Sequence, residues 1–472
     1  MKRTYGLLGG LAAVWLAGCD VVPGVEDDGQ GDVETVRAPL YKRGNVWPFN
    51  DYGVREMPVC FTAESIARAD FTTVRDRIQR SLNLTWGMVA NITFTGFGSC
   101  GSTENGKARI RIDDPDIGSG AQTGYQGANR PSTGHLRSNV DQGVIAHEFG
   151  HLLGFDHEFA RPDWEDPPGC HEQELREGGD TLGTPANETQ SIMAATGYCQ
   201  FNQWLSPWDI VGVQNLYGRK KAGSIVGLEN RCLDIPGGTP SVGEDLQVYN
   251  CKGANNQLWR RTAESQLFAP WWGHAAYLDV GGDEGNRAPV QVYPENVPTT
   301  DNQTWTFENA ELRGMGNLCI VPDSYANQQV LRLAVCDGSD HQKWTFQPNG
   351  KIEHGAWCVD FSLSSGLMQV YSCHNGANQR FTFTAAGEIK YDGRCMEVLG
   401  ERPTVRGRLT LSACKSDTDL SRMSQRFHIS GEIRSLGRCL DIRGGTSFNG
   451  AAAQIYDCKE ASNQRWDYYF NP

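Results

Sequence analysis

The sequence predicts a multidomain chain, one α+β domain followed by two all-β domains, and three observations carry that expectation. Helical and strand-like apolar spacings are mixed between Tyr41 and Tyr217, a unit of about 40 residues recurs six times after Gly218, and the composition shifts there to short strands and turns. A length of 472 residues also exceeds one hydrophobic core, since domains run to roughly 150 residues. The net charge of −13 repels a phosphate backbone, and no basic run offsets it, so nucleic acid is excluded as a partner.

The first segment reads as an export signal. Lys2 and Arg3 precede an apolar stretch from Leu7 to Leu16 and the small residues Ala17 and Gly18, and such a segment is removed rather than kept as a span. Leu16-Ala17-Gly18-Cys19 resembles the bacterial lipobox, which implies a lipid-modified Cys19 and a cell-envelope or extracellular location. No later stretch reaches the ~18 apolar residues of a spanning helix, so any membrane attachment runs through that anchor. Residues 20–40 are acidic and nearly free of large apolar side chains, as a solvated linker would be.

Cysteines follow the same logic. The total of 15 is odd, and removing Cys19 leaves an even set, which suits an oxidising compartment. Five close pairs fall in the C-terminal half: Cys232/Cys251, Cys319/Cys336, Cys358/Cys373, Cys395/Cys414 and Cys439/Cys458. Cys60, Cys100, Cys170 and Cys199 remain in the first domain. Three connectivities are open to four cysteines, and Cys60/Cys100 with Cys170/Cys199 is the preferred one.

The α+β domain is placed at 41–220. Phe71, Val74, Ile78 and Leu82 recur at helical spacing within Phe71 to Trp86, whereas Ile92 to Phe97 and Ala108 to Ile112 alternate like strands. Within the domain, His147-Glu148-Phe149-Gly150-His151 continues to Gly154 and His157, spelling HExxHxxGxxH. Histidines four apart on a helix stand one above the other, so His147 and His151 face one point with Glu148 beside it. Gly154 can leave the helix in a conformation closed to other residues and return the chain so that His157 supplies a third nitrogen. Three protein ligands leave a fourth position on Zn2+ open, which is a catalytic rather than a structural arrangement.

This motif resembles the metzincin zinc peptidases, and the resemblance implies an α+β metzincin catalytic domain. Ser191-Ile192-Met193 resembles the Met-turn, with Met193 as the floor beneath the metal. His157-Glu158-Phe159-Ala160-Arg161-Pro162-Asp163 is similar to the astacin extension, while Leu205-Ser206-Pro207-Trp208-Asp209-Ile210 and Leu216-Tyr217-Gly218 resemble the closing helix of matrixins and astacins. Astacins carry a tyrosine two positions after the Met-turn methionine; Ala195 stands there, with Tyr198 off register. The implied reaction is hydrolysis of peptide bonds in a protein or glycoprotein, with zinc activating water and Glu148 acting as general base.

The six repeats close on Gln257/Trp259, Gln303/Trp305, Gln342/Trp344, Gln379/Phe381, Gln425/Phe427 and Gln464/Trp466. Four open on Cys-Leu-Asp or a relative, at Asp234, Asp279, Asp360 and Asp441. One such unit cannot bury its apolar face alone, so three must pack together with the aromatic as shared plug. These repeats resemble the ricin B-type lectins, which implies two β-trefoil domains, taken in chain order as 222–347 and 348–472. The resemblance further implies sugar pockets in four repeats: Asp234, Gln247, Tyr249 and Asn256; Asp279, Gln291, Tyr293 and Asn302; Asp360, Gln369, Tyr371 and Asn378; Asp441, Gln454, Tyr456 and Asn463. Carboxylate and amides match hydroxyls, the aromatic covers the apolar side of a pyranose, and galactose-type glycans are the family's ligands. Repeats three and five lack the set, with Arg332 and Ala334 in one and Glu397 and Thr410 in the other. The competing function is a non-catalytic carbohydrate adhesin.

Overall fold

The computed structural model describes residues 40–42, 44–102, 104–116, 118–161, 182, 190–194, 203–282 and 285–470. Cys19, Asp163, Cys170, Ala195, Tyr198 and Cys199 lie outside them.

The first domain begins with β1 (Tyr41–Lys42), β2 (Arg55–Phe61), α1 (Ala63–Ile66) and α2 (Phe71–Leu84), followed by α3 (Trp86–Val89) and β3 (Ile92–Ser99). It continues through β4 (Ala108–Asp113), β5 (Gly120–Ala121), β6 (Ser132–Arg137), α4 (Gln142–Leu152), β7 (Phe155–Asp156) and α5 (Pro207–Tyr217). Val74, Ile78 and Leu82 of α2 are buried, as their spacing requires. The expected single helix to Trp86 is instead interrupted at Thr85, which leaves helical angles and spends its hydroxyl on the Ser81 carbonyl at 2.7 Å. Five strands form one sheet in the order β3-β2-β4-β6-β5, parallel except for the antiparallel edge strand β5. Against it lies a core that includes Phe61, Ile110, Phe149 and Leu152. At the far edge Gly96 and Phe97 both take positive φ and shift the β2–β3 register, beside the Cys60–Cys100 disulfide.

α5 is buried along most of its surface, the polar Asp209 and Gln214 included. Ile210, Val213 and Tyr217 enter the first domain's core, and Trp208 and Val211 enter that of the repeats, so the helix is buried between the two. Lys220 follows it, 6% exposed, with Nζ 3.4 Å from the Ile92 carbonyl. Burial pushes its ammonium down to about 7 despite the charge of Asp467. The unfolded chain keeps the ordinary lysine value of roughly 10.4, so it binds more protons between pH ~7 and ~10.4 and stability rises with pH across that window. Lys220→Met is expected to abolish this rise and to lift the melting temperature at neutral pH, as melts recorded across the window would show.

Each repeat carries the same internal wiring. The closing Gln accepts a backbone N–H through Oε1, from Lys252, Asn296, Asp337, His374, Lys415 and Lys459 in turn, at 2.7–2.9 Å. The four Trp plugs donate Nε1–H to Leu233, Leu278, Ile320 and Leu440 carbonyls.

The five cysteine pairs of the repeats are disulfides: Cys232–Cys251, Cys319–Cys336, Cys358–Cys373, Cys395–Cys414 and Cys439–Cys458. Each closes a loop worth about 3 kcal/mol by chain entropy. The Cys232–Cys251 disulfide stands as expected, and Cys251 has a packing role beside it. Its sulfur is buried with Cys232, Val226 and Tyr469 in a small apolar cluster apart from the two main cores, so Cys251 is a packing residue rather than only a staple. The physical reason is Tyr469: its backbone N–H donates to the Ser224 carbonyl, holding the C-terminal segment beside repeat one so that its ring and the disulfide cover each other. Spacing between cysteines cannot show this, because Tyr469 is supplied from repeat six.

The repeats do not group in chain order, and the expected division at 347/348 is corrected by the strand pairing. Repeat one pairs with repeat two (Arg261↔Leu267, Asp245↔Gln291) and with repeat six (Val248↔Ala451, Val226↔Asp467). Repeat two pairs with repeat six through Thr306↔Arg434 and Pro289↔Gln454. Repeats three, four and five close a second ring through Thr345↔Glu353, Val330↔Gln369, Thr382↔Lys390, Leu367↔Thr410, Arg332↔Arg408 and Leu312↔Ile429. One trefoil (repeats three to five) is therefore inserted between the second and third units of the other (repeats one, two and six). The strands Thr306–Arg313 and His428–Ser435 run antiparallel through both rings, with a register shift between Glu308 and Glu311 where they pass from one to the other. This grouping is hidden in the sequence because every unit presents an equivalent edge and plug, so a ring can be closed by any three.

Candidate metal centre and sugar pockets

Helix α4 starts at Asp141, whose carboxylate accepts from Val144 N–H at 2.9 Å. Its far end is held by aromatic donors, Trp47 Nε1–H to the Leu152 carbonyl and the Tyr217 hydroxyl to Leu153, at 2.6–2.7 Å, and Trp86 Nε1–H donates to the mid-helix Ala146 carbonyl at 2.8 Å. The first two satisfy carbonyls that a helix end leaves open, and all three fix α4 as a rigid mount. Gly154 follows with φ +103, a conformation that only glycine adopts freely. Asp156 then pairs with Tyr41 across β1 and β7 and accepts the His157 N–H at 3.0 Å, which brings His157 back over the helix.

The three imidazoles converge. His157 Nε2 lies 3.2 Å from Nε2 of both His147 and His151. Tetrahedral bonds of 2.0–2.1 Å to one zinc would separate nitrogens by about 3.3 Å, so the donor set fits that ion. His147 Nδ1 is 2.7 Å from the Ile192 carbonyl and His151 Nδ1 is 2.9 Å from Phe155 O. A carbonyl only accepts, so both Nδ1 atoms carry the proton and both Nε2 lone pairs are free to ligate. Burial, aided by neighbouring His151, pushes the His147 imidazole down to about 3 and keeps it neutral. Glu148 is 8% exposed and outside the trio, and burial pushes its carboxyl up to about 7.

Met193 is fully buried against α4, where a Cβ on Gly150 would collide with its Sδ. Its loop is tied to α5: Asp209 accepts from Ser191 Oγ at 2.6 Å and from the Ile192 and Ser206 N–H groups at 2.8 Å. Ile192 in turn fixes His147, so Asp209 bears on the His147 imidazole through two hydrogen bonds. The sequence shows Asp209 only as part of a closing helix; the signal for more is its place three residues after Ser206, where the two side chains complete a capping box. Glu158 and Arg161 form a fully buried ion pair at 3.4 Å.

In the repeats, the structure brings each predicted pocket together. The opening Asp accepts from the Gln amide (Gln247, Gln291, Gln369, Gln454) at 2.7–2.8 Å and from the Asn amide (Asn256, Asn302, Asn378, Asn463) at 2.7–2.9 Å. Asp234, Asp279, Asp360 and Asp441 are 2–4% exposed, and Tyr249, Tyr293, Tyr371 and Tyr456 stand at the rim, partly exposed or more. The Asn amides also donate to carbonyls of their own loops, such as Ile235 O at 2.8 Å, so they shape the pocket as well as line it. Clefts open at repeat six, with about 700 Å³, and at repeat four, with about 390 Å³. Repeat five is plugged by Lys415, paired with Glu397 and Glu401. In repeat three Arg332 turns to Asp323 at 2.8 Å.

The ricin-type β-trefoil lectin domain model matches residues 221–313, 273–364 and 390–471. Among curated proteins none matches the chain. Similar solved structures include a non-toxic homologue of type II RIPs from Momordica charantia (bitter gourd), at 17% identity over 43% of this chain and 95% of that one, TM-score 0.23. Two others are high choriolytic enzyme 1, a hatching enzyme zinc-protease from Oryzias latipes (20% identity, 37% and 95% coverage, TM-score 0.25), and myroilysin (21%, 38% and 99%, TM-score 0.27). At such scores these likenesses carry no weight beside the geometry. The six wired repeats, their two closed rings and the family match establish that the C-terminal half of the chain is built of ricin-type β-trefoil lectin domains.

Proposed function

We propose that the chain is an exported zinc-dependent endopeptidase of the metzincin type, held to glycan-bearing substrates by its lectin domains. The observation that carries this reading is the convergence of three Nε2 atoms within 3.2 Å of His157, two of them with Nδ1 pinned by carbonyls, beside a buried Glu148 that is not part of the trio. Zinc held by His147, His151 and His157 would supply Lewis acidity and an acidified water. Glu148 takes the proton of the attacking water and returns it to the leaving amine nitrogen. Met193 and Asp209 hold the geometry from below. Disulfides in both halves fit the oxidising side of a membrane, and lipid on Cys19 would tether the enzyme there.

Casein incubated with the purified chain is expected to be cleaved, with cleavage lost to a chelator and regained with zinc. No cleavage under any metal would leave the adhesin reading in its place. The four pockets are proposed to bind galactose-type sugars, weakly one by one and firmly together through avidity. Replacing Asp234, Asp279, Asp360 and Asp441 together by Ala is expected to abolish retention on a galactose matrix; unchanged retention would reject these pockets.

A further inference from the structure

The four pockets share one frame but differ in charge. Two residues after each opening Asp stand Pro236, Gly281, Ser362 and Arg443 in repeats one, two, four and six. At the lip before each closing Gln, where the backbone N–H meets its Oε1, stand Lys252, Asn296, His374 and Lys459. A third position comes from the neighbouring repeat of the ring, marked by one repeated backbone bond: Gly450 N–H to Val248 O, Gly243 to Val292, Gln328 to Val370 and Arg287 to Ile455, at 2.9–3.0 Å. Repeats two and four thus have no permanent charge at these positions and repeat one a single cation. Repeat six has three.

From this the geometry points to an acidic pyranose, one bearing a sulfate or a carboxylate, as the ligand of the repeat-six pocket, a specificity that rests on the reading of the Asp-centred pockets as sugar sites. Arg287, Arg443 and Lys459 all line its cleft of about 700 Å³ and all are exposed. None has an ion-pair partner among the described residues. Lys459 Nζ lies 4.7 Å and the Arg287 guanidinium 5.8 Å from the Tyr456 ring centre, so both cations sit beside the face that a pyranose would cover. The carboxylate in the pocket, Asp441, is occupied by amide donors from Gln454, Asn463 and Gln464 at 2.7–3.0 Å. Lys459 is close enough to favour the charged form of Asp441, and one carboxylate beside three cations leaves the mouth of the pocket net positive.

Arg287 is set there by the nested trefoil. Its backbone has φ +75, and the loop is clamped to repeat six by Arg287 N–H to Ile455 O, Ile455 N–H to Ala288 O and a reciprocal pair between Asn286 and Asp457 at 2.8 and 2.9 Å. A non-glycine residue at positive φ persists when its surroundings over-determine it. Had the rings formed in chain order, repeats two and six would lie in different trefoils and this pocket would lack Arg287.

The test uses the full-length chain and its Arg287→Gln/Arg443→Gln/Lys459→Gln variant on an array of galactosides in matched neutral, sulfated and sialylated forms. All three changes are at exposed side chains, and the other three pockets serve as an internal control for folding. Parent protein is expected to favour at least one acidic series over its neutral partner by roughly tenfold, the sum of three exposed charge contacts. The variant should lose that preference and keep its neutral binding. Loss confined to the sulfated series assigns a sulfate, and loss confined to the sialylated series a carboxylate. Acidic binding that is unchanged in the variant, or no acidic preference in the parent, overturns the inference while leaving the pockets as sugar sites. Absence of binding to every member overturns the sugar-site reading itself and the inference with it.

Discussion

Glu148→Gln is expected to lower casein hydrolysis by about 10²–10⁴-fold and to leave bound zinc and the melting temperature close to the parent's. The amide fills the volume of the carboxyl, so the packing around a side chain 8% exposed is kept. It accepts no proton at ordinary pH, so the step between attacking water and leaving amine loses its carrier. Retention of metal follows because the three converging nitrogens belong to His147, His151 and His157. Activity and metal content measured on one preparation separate the two roles. Turnover at the parental rate would exclude Glu148 as general base, and loss of zinc with activity would make it a ligand.

A second large effect is expected at Gly431→Val. Gly431 lies in the strand His428–Ser435, opposite Trp466, where the two trefoils share backbone. A Cβ there would collide with the Cα and Cβ of Ala310, fully buried in the strand Thr306–Arg313. Overpacking in a core costs about 1–3 kcal/mol, and more where backbone rather than a flexible side chain stands in the way. Because both strands run through both rings, hydrogen exchange on the full chain is expected to quicken in 225–305 as well as in 343–427. Trefoils formed in chain order would confine the change to 348–472. Protection kept in 225–305 would contradict the nested arrangement.

Legibility in the sequence tracked how local each feature is. The convergence of the three histidines could be read because His147, His151, Gly154 and His157 lie within three turns of chain, and helical spacing plus one glycine suffice to aim them. The pocket sets could be read because each repeat builds its own. Cys60–Cys100 was a preference among three pairings, and the bulge at Gly96 and Phe97 that sits beside it left no pattern in the alternation. Asp209, Arg287 and the packing role of Cys251 escaped because their partners are supplied by distant chain: the loop at Ser191 for the first, a different repeat for the other two. The grouping of repeats escaped for a stronger reason. Interchangeable edges leave the choice of neighbours to the two long shared strands, whose double role is visible only once both rings are seen.

The central claim, that the three histidines hold a catalytic zinc, is met most directly by elemental analysis of the purified chain alongside its His151→Ala variant. About one zinc per chain is expected in the parent, and almost none, with no hydrolysis of casein, in the variant. A parent that cleaves casein without firmly held metal, or a variant that keeps its zinc, would contradict the account.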